Sequence, residues 1–376
     1  MLSNYRNLRL SKRRELVSTM CFKTPKTSSR ITRAAFVLVT FWMSPPLLGV
    51  MSNRVWPTAE SRKEWTVAPS RLIRSAMDQG DQLDLLDAAL RLDPARPSRR
   101  FRRRIHAEVD ELASIALGRL PIPATVDGRV EALNALLFKD MQFRGELASA
   151  SPRGLSIRSL LEERQGTCVS LVILYLALAE RLSLEATAAA TPTHLFVRVQ
   201  TSAGAMNIET LDGGASITDS VYRKRHPMAD ESINSGVFMT PLSKQAVLAH
   251  LLNNRGVLAA RIRNHAAAIH EFDSALLLGP AVSAAYYNRG LSDLALEHPG
   301  DAIEDFSHAI ELHPLDAQAY NNRGIAHLRL KESELAREDF GAALRIKPAM
   351  REARENLNKL DEFEAVGTNE RPSPGS

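Results

Sequence analysis

Between residues 168 and 210, the apolar positions change from an unbroken run to an alternation with polar positions. The run from Cys168 to Leu182 is mostly apolar and holds neither proline nor glycine, which predicts a buried helix. The stretches 193–200 and 205–210 are short and apolar, and the segment 201–204 between them contains serine and glycine. We therefore expect a hairpin of two strands after the helix.

The alternation also assigns side chains to the two faces of the first strand. The apolar face is formed by Leu195, Val197 and Val199. His194 lies on the opposite face. If Gln200 pairs with Ala205 across the turn, Glu209 becomes a diagonal neighbour of His194 on that face, within side-chain reach.

The C-terminal third repeats a pattern of small and apolar residues with a period of 34 residues. The tripeptide Asn-Arg-Gly returns at this step, and so do a phenylalanine, an alanine and a proline. A helix pair buries its apolar face only against a neighbouring pair, so we expect stacked pairs in an all-α solenoid. The recurring positions are 254–256, 288–290 and 322–324 for the tripeptide, then Phe272, Phe306 and Phe340, Ala275, Ala309 and Ala343, and Pro280, Pro314 and Pro348.

This period resembles the tetratricopeptide repeat. The matching consensus positions in one unit are Gly290, Ala302, Phe306, Ala309 and Pro314. We expect three such repeats over residues 247–348, a capping helix over 349–363 and a disordered tail over 364–376.

The resemblance to tetratricopeptide repeats implies a protein or peptide partner bound on the concave side of the solenoid. Asn254, Asn288 and Asn322 occupy the repeat position that usually faces this groove in the family. The alternative is a purely structural extension that packs on the neighbouring domain.

The N-terminal part divides into a basic, an apolar and a polar stretch. Residues 1–33 carry nine Lys or Arg and one acid, residues 34–51 are uncharged, and residues 52–69 suit a linker. A basic flank before an apolar segment predicts a signal peptide or a single membrane anchor, with a cytoplasmic N-terminus and the rest exported. Pro45 and Pro46 interrupt the segment, and the alternative is a cytoplasmic protein whose start codon is misassigned.

This division also accounts for the charge of the chain. The 376 residues hold 48 Lys and Arg and 43 Asp and Glu, a formal net charge of +5. Outside the basic tail, 39 basic side chains face 42 acidic ones, a net charge of −3. A binder of DNA or RNA needs a positive surface on its folded part, so we expect no nucleic-acid partner.

Of the two cysteines, Cys21 lies in the basic tail and Cys168 begins the predicted buried helix. A thiol in the first turn of a helix meets the positive end of the helix dipole, which favours the thiolate. With His194 and Glu209 it would form a triad in which cysteine attacks, histidine carries the proton and the carboxylate orients the imidazole. The histidines lack metal-ligand spacing and the chain lacks a glycine-rich phosphate loop, so we expect neither a metal nor a cofactor.

This order of residues resembles the transglutaminase-like superfamily of papain-type cysteine enzymes, which place a cysteine at a helix start, then a histidine and an acid on successive strands. More narrowly, the stretch from Asp84 to Gly214 resembles the bacterial SirB family of transglutaminase-like proteins, which often carry tetratricopeptide repeats. The segments that carry the resemblance are LLDAAL at 85–90, DELASIA at 110–116, EALNALLFKDMQFRG at 131–145, LEERQGTCVSLVILYLALAERL at 161–182, THLFVRV at 193–199 and NIETLDGG at 207–214.

The resemblance implies a role for each candidate residue. Cys168 would be the nucleophile, His194 the base and Glu209 the acid, here in place of the commoner aspartate. The backbone N–H of Cys168 would stabilise the oxyanion, with the side chain of Gln165 as a second donor.

We therefore expect an α+β protein, in which a helical segment and a transglutaminase-like domain over residues 70–232 precede the repeat solenoid. Its chemistry would be acyl transfer or amide hydrolysis through a thioester on Cys168, decided by whether an amine or water resolves the thioester. The alternative is a non-catalytic scaffold for protein–protein interaction, in which the repeats do the binding.

Overall fold

The computed structural model describes residues 70–93, 95–146 and 152–369. A group of helices and a five-stranded antiparallel sheet form the first part of this range, and a run of paired helices forms the second. The α+β class expected from the sequence is thus confirmed.

The N-terminal predictions fall outside this range. The basic tail at 1–33, the apolar segment at 34–51 and the linker at 52–69 all lie outside the described residues, as does the end of the chain from residue 370. Within the ranges that are described, no helix is both long enough and apolar enough to cross a membrane.

The helices of the first part begin at polar residues that cap them. The side chains of Asp84, Ser98, Thr125, Ser156 and Thr167 each accept a hydrogen bond from a backbone N–H three residues further on. Such caps satisfy a donor that the first helical turn leaves open. The helices are α1 (Ser70–Gln79), α2 (Leu85–Leu92), α3 (Arg99–Leu117), α4 (Val126–Asn134), α5 (Pro152–Leu155), α6 (Ile157–Glu163) and α7 (Cys168–Arg181), with a 3₁₀ turn at Gly80–Gln82 and a π-helical turn at Ala135–Asp140.

Helix α7 lies at the centre of the first core. Every side chain from Val169 to Ala179 is buried, because α2, α3, the sheet and a later helix, α10 (Lys244–Arg261), cover the helix on all sides. This is the environment that an apolar sequence without an amphipathic stripe requires. The predicted buried helix is confirmed.

The sheet has the strand order β6-β5-β4-β3-β7, with antiparallel neighbours throughout. Gln200 pairs with Ala205 across the β4–β5 turn, as the hairpin prediction requires. The strands are β1 (Arg144–Gly145), β2 (Gln165–Gly166), β3 (Ala186–Thr191), β4 (His194–Thr201), β5 (Gly204–Glu209), β6 (Ala215–Ser216) and β7 (Pro241–Leu242), and the short helices α8 (Asp219–Arg225) and α9 (Asp230–Asn234) lie between β6 and β7.

The two faces of β4 serve two separate cores. The apolar face predicted from the alternation packs into the main core beside α7. Phe196, on the opposite face, belongs to a smaller second core with Tyr222. The members of this second core are Ala189, Phe196, Ile217, Tyr222, Met228, Val237, Phe238 and Met239.

The second part consists of three antiparallel helix pairs and a final helix. Glycine and phenylalanine recur together because each glycine lets the two helices of a pair approach: a Cβ on Gly290 or Gly324 would lie 3.0 Å or 2.7 Å from the ring of Phe306 or Phe340. The helices are α10, α11 (His265–Leu278), α12 (Ser283–Ala295), α13 (Pro299–Leu312), α14 (Ala317–Arg329), α15 (Ser333–Ile346) and α16 (Arg351–Asn369). Helix α16 extends to Asn369, whereas the sequence predicted that the tail begins at residue 364. The stretch 364–369 contains no proline that would end the helix earlier.

Candidate active site

Cys168 is the first residue of α7, and the local sequence fixes it there. Thr167 caps the helix by accepting a hydrogen bond from the N–H of Ser170. The preceding Gly166 has no room for a side chain, since a Cβ there would lie 2.5 Å from the Ser170 Oγ and 2.8 Å from Leu160 Cδ1. The thiol is free and partly buried, at the positive end of a helix of 14 residues.

His194 and Glu209 meet as the hairpin register predicts. The Nε2 atom of His194 lies 2.7 Å from Oε2 of Glu209, and the two side chains are only 9% and 6% exposed. Cys168 also lies near this imidazole, close enough to help raise its pKa. The structure thus brings together the three residues that the sequence selects.

The charges of this group depend on one another. Burial disfavours the imidazolium, but hydrogen bonds and charge from Cys168 and Glu209 outweigh it and raise the pKa of His194 to about 9. Burial likewise acts to raise the pKa of Glu209, but the bonds from His194, the Leu211 N–H and Tyr222 outweigh it and lower the pKa below its usual range. At neutral pH His194 and Glu209 therefore form an ion pair.

Two further side chains belong to the site and were missed in the sequence. The hydroxyl of Tyr222, on α8, donates to Glu209 Oε2 at 2.9 Å. The ring of His226, just after α8, stacks on His194 with centroids 5.9 Å apart, and its Nδ1 lies 3.0 Å from Thr193 Oγ1. Burial and the neighbouring His194 charge lower the pKa of His226, so His226 is neutral at pH 7, where His194 is charged.

Gln165, the predicted oxyanion donor, lies on β2 three residues before Cys168 and is exposed. Strand β2 pairs in parallel with β1, where Arg144 is its partner. Gln165 therefore lies on the strand directly before the helix that begins at Cys168. Its role as a hydrogen-bond donor stays a prediction.

Two of the three predicted groove residues form hydrogen bonds between neighbouring repeats. Asn288 Nδ2 donates to Asn253 Oδ1 at 2.9 Å, and Asn322 Nδ2 donates to the Tyr287 hydroxyl at 2.9 Å. Asn254 accepts from the side chain of Asn253 at 3.3 Å. All three amides are partly buried, those of Asn288 and Asn322 connect one helix pair to the next, and a role in binding a partner stays a prediction.

One cluster of metal-ligand types lies away from the cysteine in the described part of the chain. Asp293, His298 and Asp301 each bring one ligand atom within 4.8 Å of the others, and two of them are exposed. One repeat further on, His327 and Glu332 occupy the positions of Asp293 and His298 and lie 2.7 Å apart. The position therefore recurs as an acid–histidine pair that joins one helix end to the next helix start.

Two family models match the chain. The model of the transglutaminase-like superfamily matches residues 103–253, a range that contains all three residues of the candidate triad. A tetratricopeptide repeat model matches residues 287–351, the range of the second and third predicted repeats. No curated protein matches the sequence closely enough to count as a relative.

The solved structures to which the chain is similar include tetratricopeptide domains. The first TPR of Spaghetti (RPAP3) bound to HSP90 peptide SRMEEVD is 25% identical, with 31% of this chain and 93% of that chain covered and a TM-score of 0.31. The Arabidopsis OM64 TPR domain is 24% identical, with 31% and 98% covered and a TM-score of 0.31. The two family matches, together with the helices and sheet described above, show that the chain contains a transglutaminase-like domain followed by C-terminal tetratricopeptide repeats.

Proposed function

We propose that this protein is a cysteine acyltransferase or amidase that works through a thioester on Cys168. The observation that carries the proposal is the 2.7 Å pair of His194 Nε2 and Glu209 Oε2, with Cys168 near enough to the same imidazole to raise its pKa. A nucleophile, a proton carrier and an orienting carboxylate in this order are what acyl transfer through a cysteine needs.

The reaction follows from the protonation states. The sulfur of Cys168 adds to the carbonyl carbon of an amide, and the tetrahedral intermediate collapses as His194 gives its proton to the leaving amine. This step breaks the C–N bond and leaves a thioester. Water or a primary amine then adds to the thioester, His194 takes the proton, and the acid or a new amide leaves while the thiol is restored.

The start of α7 supplies the stabilisation of negative charge on the substrate oxygen. The backbone N–H of Cys168 lies in the first helical turn, where it has no partner within the helix and adds to the positive end of the dipole. We assign the side chain of Gln165 as a second donor, because its exposed amide precedes the nucleophile by three residues.

We further propose that the tetratricopeptide repeats bind a protein or peptide partner and so bring substrates to the cysteine. The support is the family match over residues 287–351, since stacked helix pairs of this kind present an extended surface. Within the superfamily, the segments between Asp84 and Gly214 favour the bacterial SirB type.

The test is acylation by an activated ester. With p-nitrophenyl acetate, the wild type should release a burst of p-nitrophenol that matches the protein concentration, and mass spectrometry should find the acetyl group on Cys168. The variant Cys168→Ala should lose the burst. The matched control is Cys21→Ala, which removes the other cysteine of the chain and should leave the burst unchanged.

A second pair of variants tests the proton carrier and its partner. His194→Ala and Glu209→Gln should each slow the burst by about 100-fold or more, because general acid–base catalysis contributes about 10²–10⁴-fold. If Cys168 reacts no faster than free cysteine under the same conditions and neither variant changes its rate, the protein is a non-catalytic scaffold and the proposed chemistry is wrong.

A further inference from the structure

We infer that Tyr222 is a positioning residue of this site: its hydroxyl holds the Glu209 carboxylate and its ring lies against His194. The inference rests on the proposed function, because a positioning residue matters only where Glu209 and His194 act on a reaction. It adds a fourth side chain, which lies on a helix outside the hairpin that carries the acid and the base.

The hydrogen bonds of Glu209 show what the tyrosine does. Oε2 accepts from Tyr222 at 2.9 Å and faces Nε2 of His194 at 2.7 Å, while Oε1 accepts from the backbone N–H of Leu211 at 2.9 Å. Both oxygens are thus held by donors from different directions. A carboxylate held at both oxygens cannot rotate away from the imidazole without losing one of these bonds.

The hydroxyl acts as a donor over the whole working range of pH. Tyr222 is only 1% exposed, and burial together with the negative charge of Glu209 raises its pKa far above its usual value. The proton therefore stays on the phenol and points to the carboxylate. Because both side chains are buried, removal of the hydroxyl leaves the carboxylate oxygen without this donor.

The ring of Tyr222 contributes as well. It stacks on Phe196 with centroids 4.1 Å apart and an angle of 16°, and it lies 6.3 Å from the His194 ring at 26°. Phe196 and His194 project from the same face of β4. The ring of Tyr222 therefore packs against both of them.

The position of Tyr222 is set independently of Glu209. At the start of α8, the Asp219 carboxylate accepts from Arg198 Nη2 and from Asn207 Nδ2, both at 2.6 Å. The ring itself is packed in the second core. The tyrosine thus reaches the carboxylate from a helix that the surrounding side chains already fix, which is how a site is organised before substrate arrives.

The test compares two tyrosine variants in the full-length protein, with p-nitrophenyl acetate and iodoacetamide as probes of Cys168. Tyr222→Phe keeps the ring and removes the hydroxyl. Its burst rate should fall by about 10- to 100-fold, the range expected for one hydrogen bond to a charged group. The acid side of its pH–rate profile should move to higher pH, because the Glu209 carboxylate loses a donor and takes up a proton more readily.

The matched control is Tyr175→Phe. Tyr175 is also fully buried, and its hydroxyl donates to Asn134 Oδ1 at 2.9 Å, away from Glu209. This variant should lose a similar amount in melting temperature and keep the burst rate and the pH profile of the wild type. A purely structural role for Tyr222 would give both variants the same result, and that outcome overturns the inference.

Glu209→Gln separates this inference from the proposed function. If Glu209→Gln slows the burst and Tyr222→Phe does not, Tyr222 has no positioning role while the triad stands. If neither Glu209→Gln nor His194→Ala changes the rate, the proposed function fails, and the inference fails with it.

Discussion

His194 carries the proton on which the proposed chemistry depends, and its neighbours decide how firmly that proton is held. Glu209 is hydrogen-bonded to Nε2 of the ring, Cys168 acts with it to raise the pKa, and His226 stacks on the ring. The two histidines differ in protonation at neutral pH, since the pKa of His194 is raised and that of His226 is lowered. Environments that push the pKa values of neighbouring groups apart are typical of acid–base sites.

We expect the imidazole of His194 to titrate well above neutral pH. In NMR spectra of the histidine side chains, one imidazole should titrate at a pH of about 9, and this signal should be absent from His194→Ala. Glu209→Gln should move the midpoint to lower pH, because the ring loses its negative partner. A His194 signal that titrates near 6.5 in the wild type would contradict the ion pair described for the site.

The same titration predicts how stability depends on pH. The folded state raises the pKa of His194 above the unfolded value, so its contribution to the free energy of unfolding is complete below pH 6.5. This contribution is lost as pH rises through about 9. Urea unfolding of wild type and His194→Ala between pH 6 and 10 should show two curves that converge at high pH, and parallel curves would disprove the linkage.

The element that positions Cys168, the proposed nucleophile, is the start of α7. The sequence predicted this helix and its cysteine correctly because the apolar run is long and unbroken. It gave no sign of the tight packing just before the helix, where Gly166 lies against Ser170 and Leu160. Such contacts depend on how side chains pack in three dimensions. The periodicity of apolar residues predicts which face of an element is buried, but it does not predict these contacts.

We expect Gly166→Ala to disturb this start. The added Cβ would lie 2.5 Å from the Ser170 Oγ and 2.8 Å from Leu160 Cδ1, so a buried side chain or the helix end must shift. Overpacking of this kind costs about 1–3 kcal/mol, and the displaced Cys168 should also react more slowly with iodoacetamide. Urea unfolding and labelling rates measure the two effects.

Gly300→Ala is the matched control for this substitution. Gly300 lies near the start of α13, and a Cβ there would meet nothing within 4 Å. Because alanine restricts the unfolded chain, this variant should gain about 0.4–1 kcal/mol and keep the labelling rate of Cys168. Equal losses in both variants would show that Gly166 is not special.

The first repeat and the transglutaminase-like domain share one hydrophobic core. Residues of α10 such as Leu251 and Leu252 are buried in the same cluster as Leu174 of α7, and the superfamily match ends at residue 253, inside α10. The period of 34 residues predicted the repeat, and the alternation predicted the register that joins His194 to Glu209. Helix α10 also packs against α2 and α7, which are far away along the chain. The periodicity of the sequence could not predict these contacts.

Tyr222 shows the same limit at the site. It follows Glu209 by 13 residues, through β6 and the turn before α8, where the sequence has no regular period. The triad was predictable because its members lie at the start of a helix and on paired strands, whose geometry is regular. The fourth side chain reaches the site through an irregular connection, whose path is decided by the second core.

A buried polar contact between the two parts involves Arg255, in the first Asn-Arg-Gly. Its guanidinium pairs with Glu271 at 2.7 Å and also donates to the Leu92 carbonyl at the end of α2, and the two side chains are only 4% and 0% exposed. The same arginine in the third repeat, Arg323, pairs with Asp339 at 2.8 Å and is 23% exposed. One sequence motif therefore forms a bond within a repeat at both positions and a bond between domains at the first.

Because Arg255 is more deeply buried than Arg323, we expect its removal to cost more stability. Arg255→Ala leaves the Glu271 carboxylate buried without its guanidinium partner, and breaking a buried pair in this way costs about 3–5 kcal/mol. Arg323→Ala removes the partly exposed equivalent and should cost clearly less. The variant with both Arg255→Met and Glu271→Met should recover much of the loss, because it leaves no buried charge. For Arg255→Ala, helicity and the Cys168 burst should disappear at the same urea concentration, because α10 completes the core around α7. If the variant loses the helicity of its repeats and keeps the burst, the two parts fold independently.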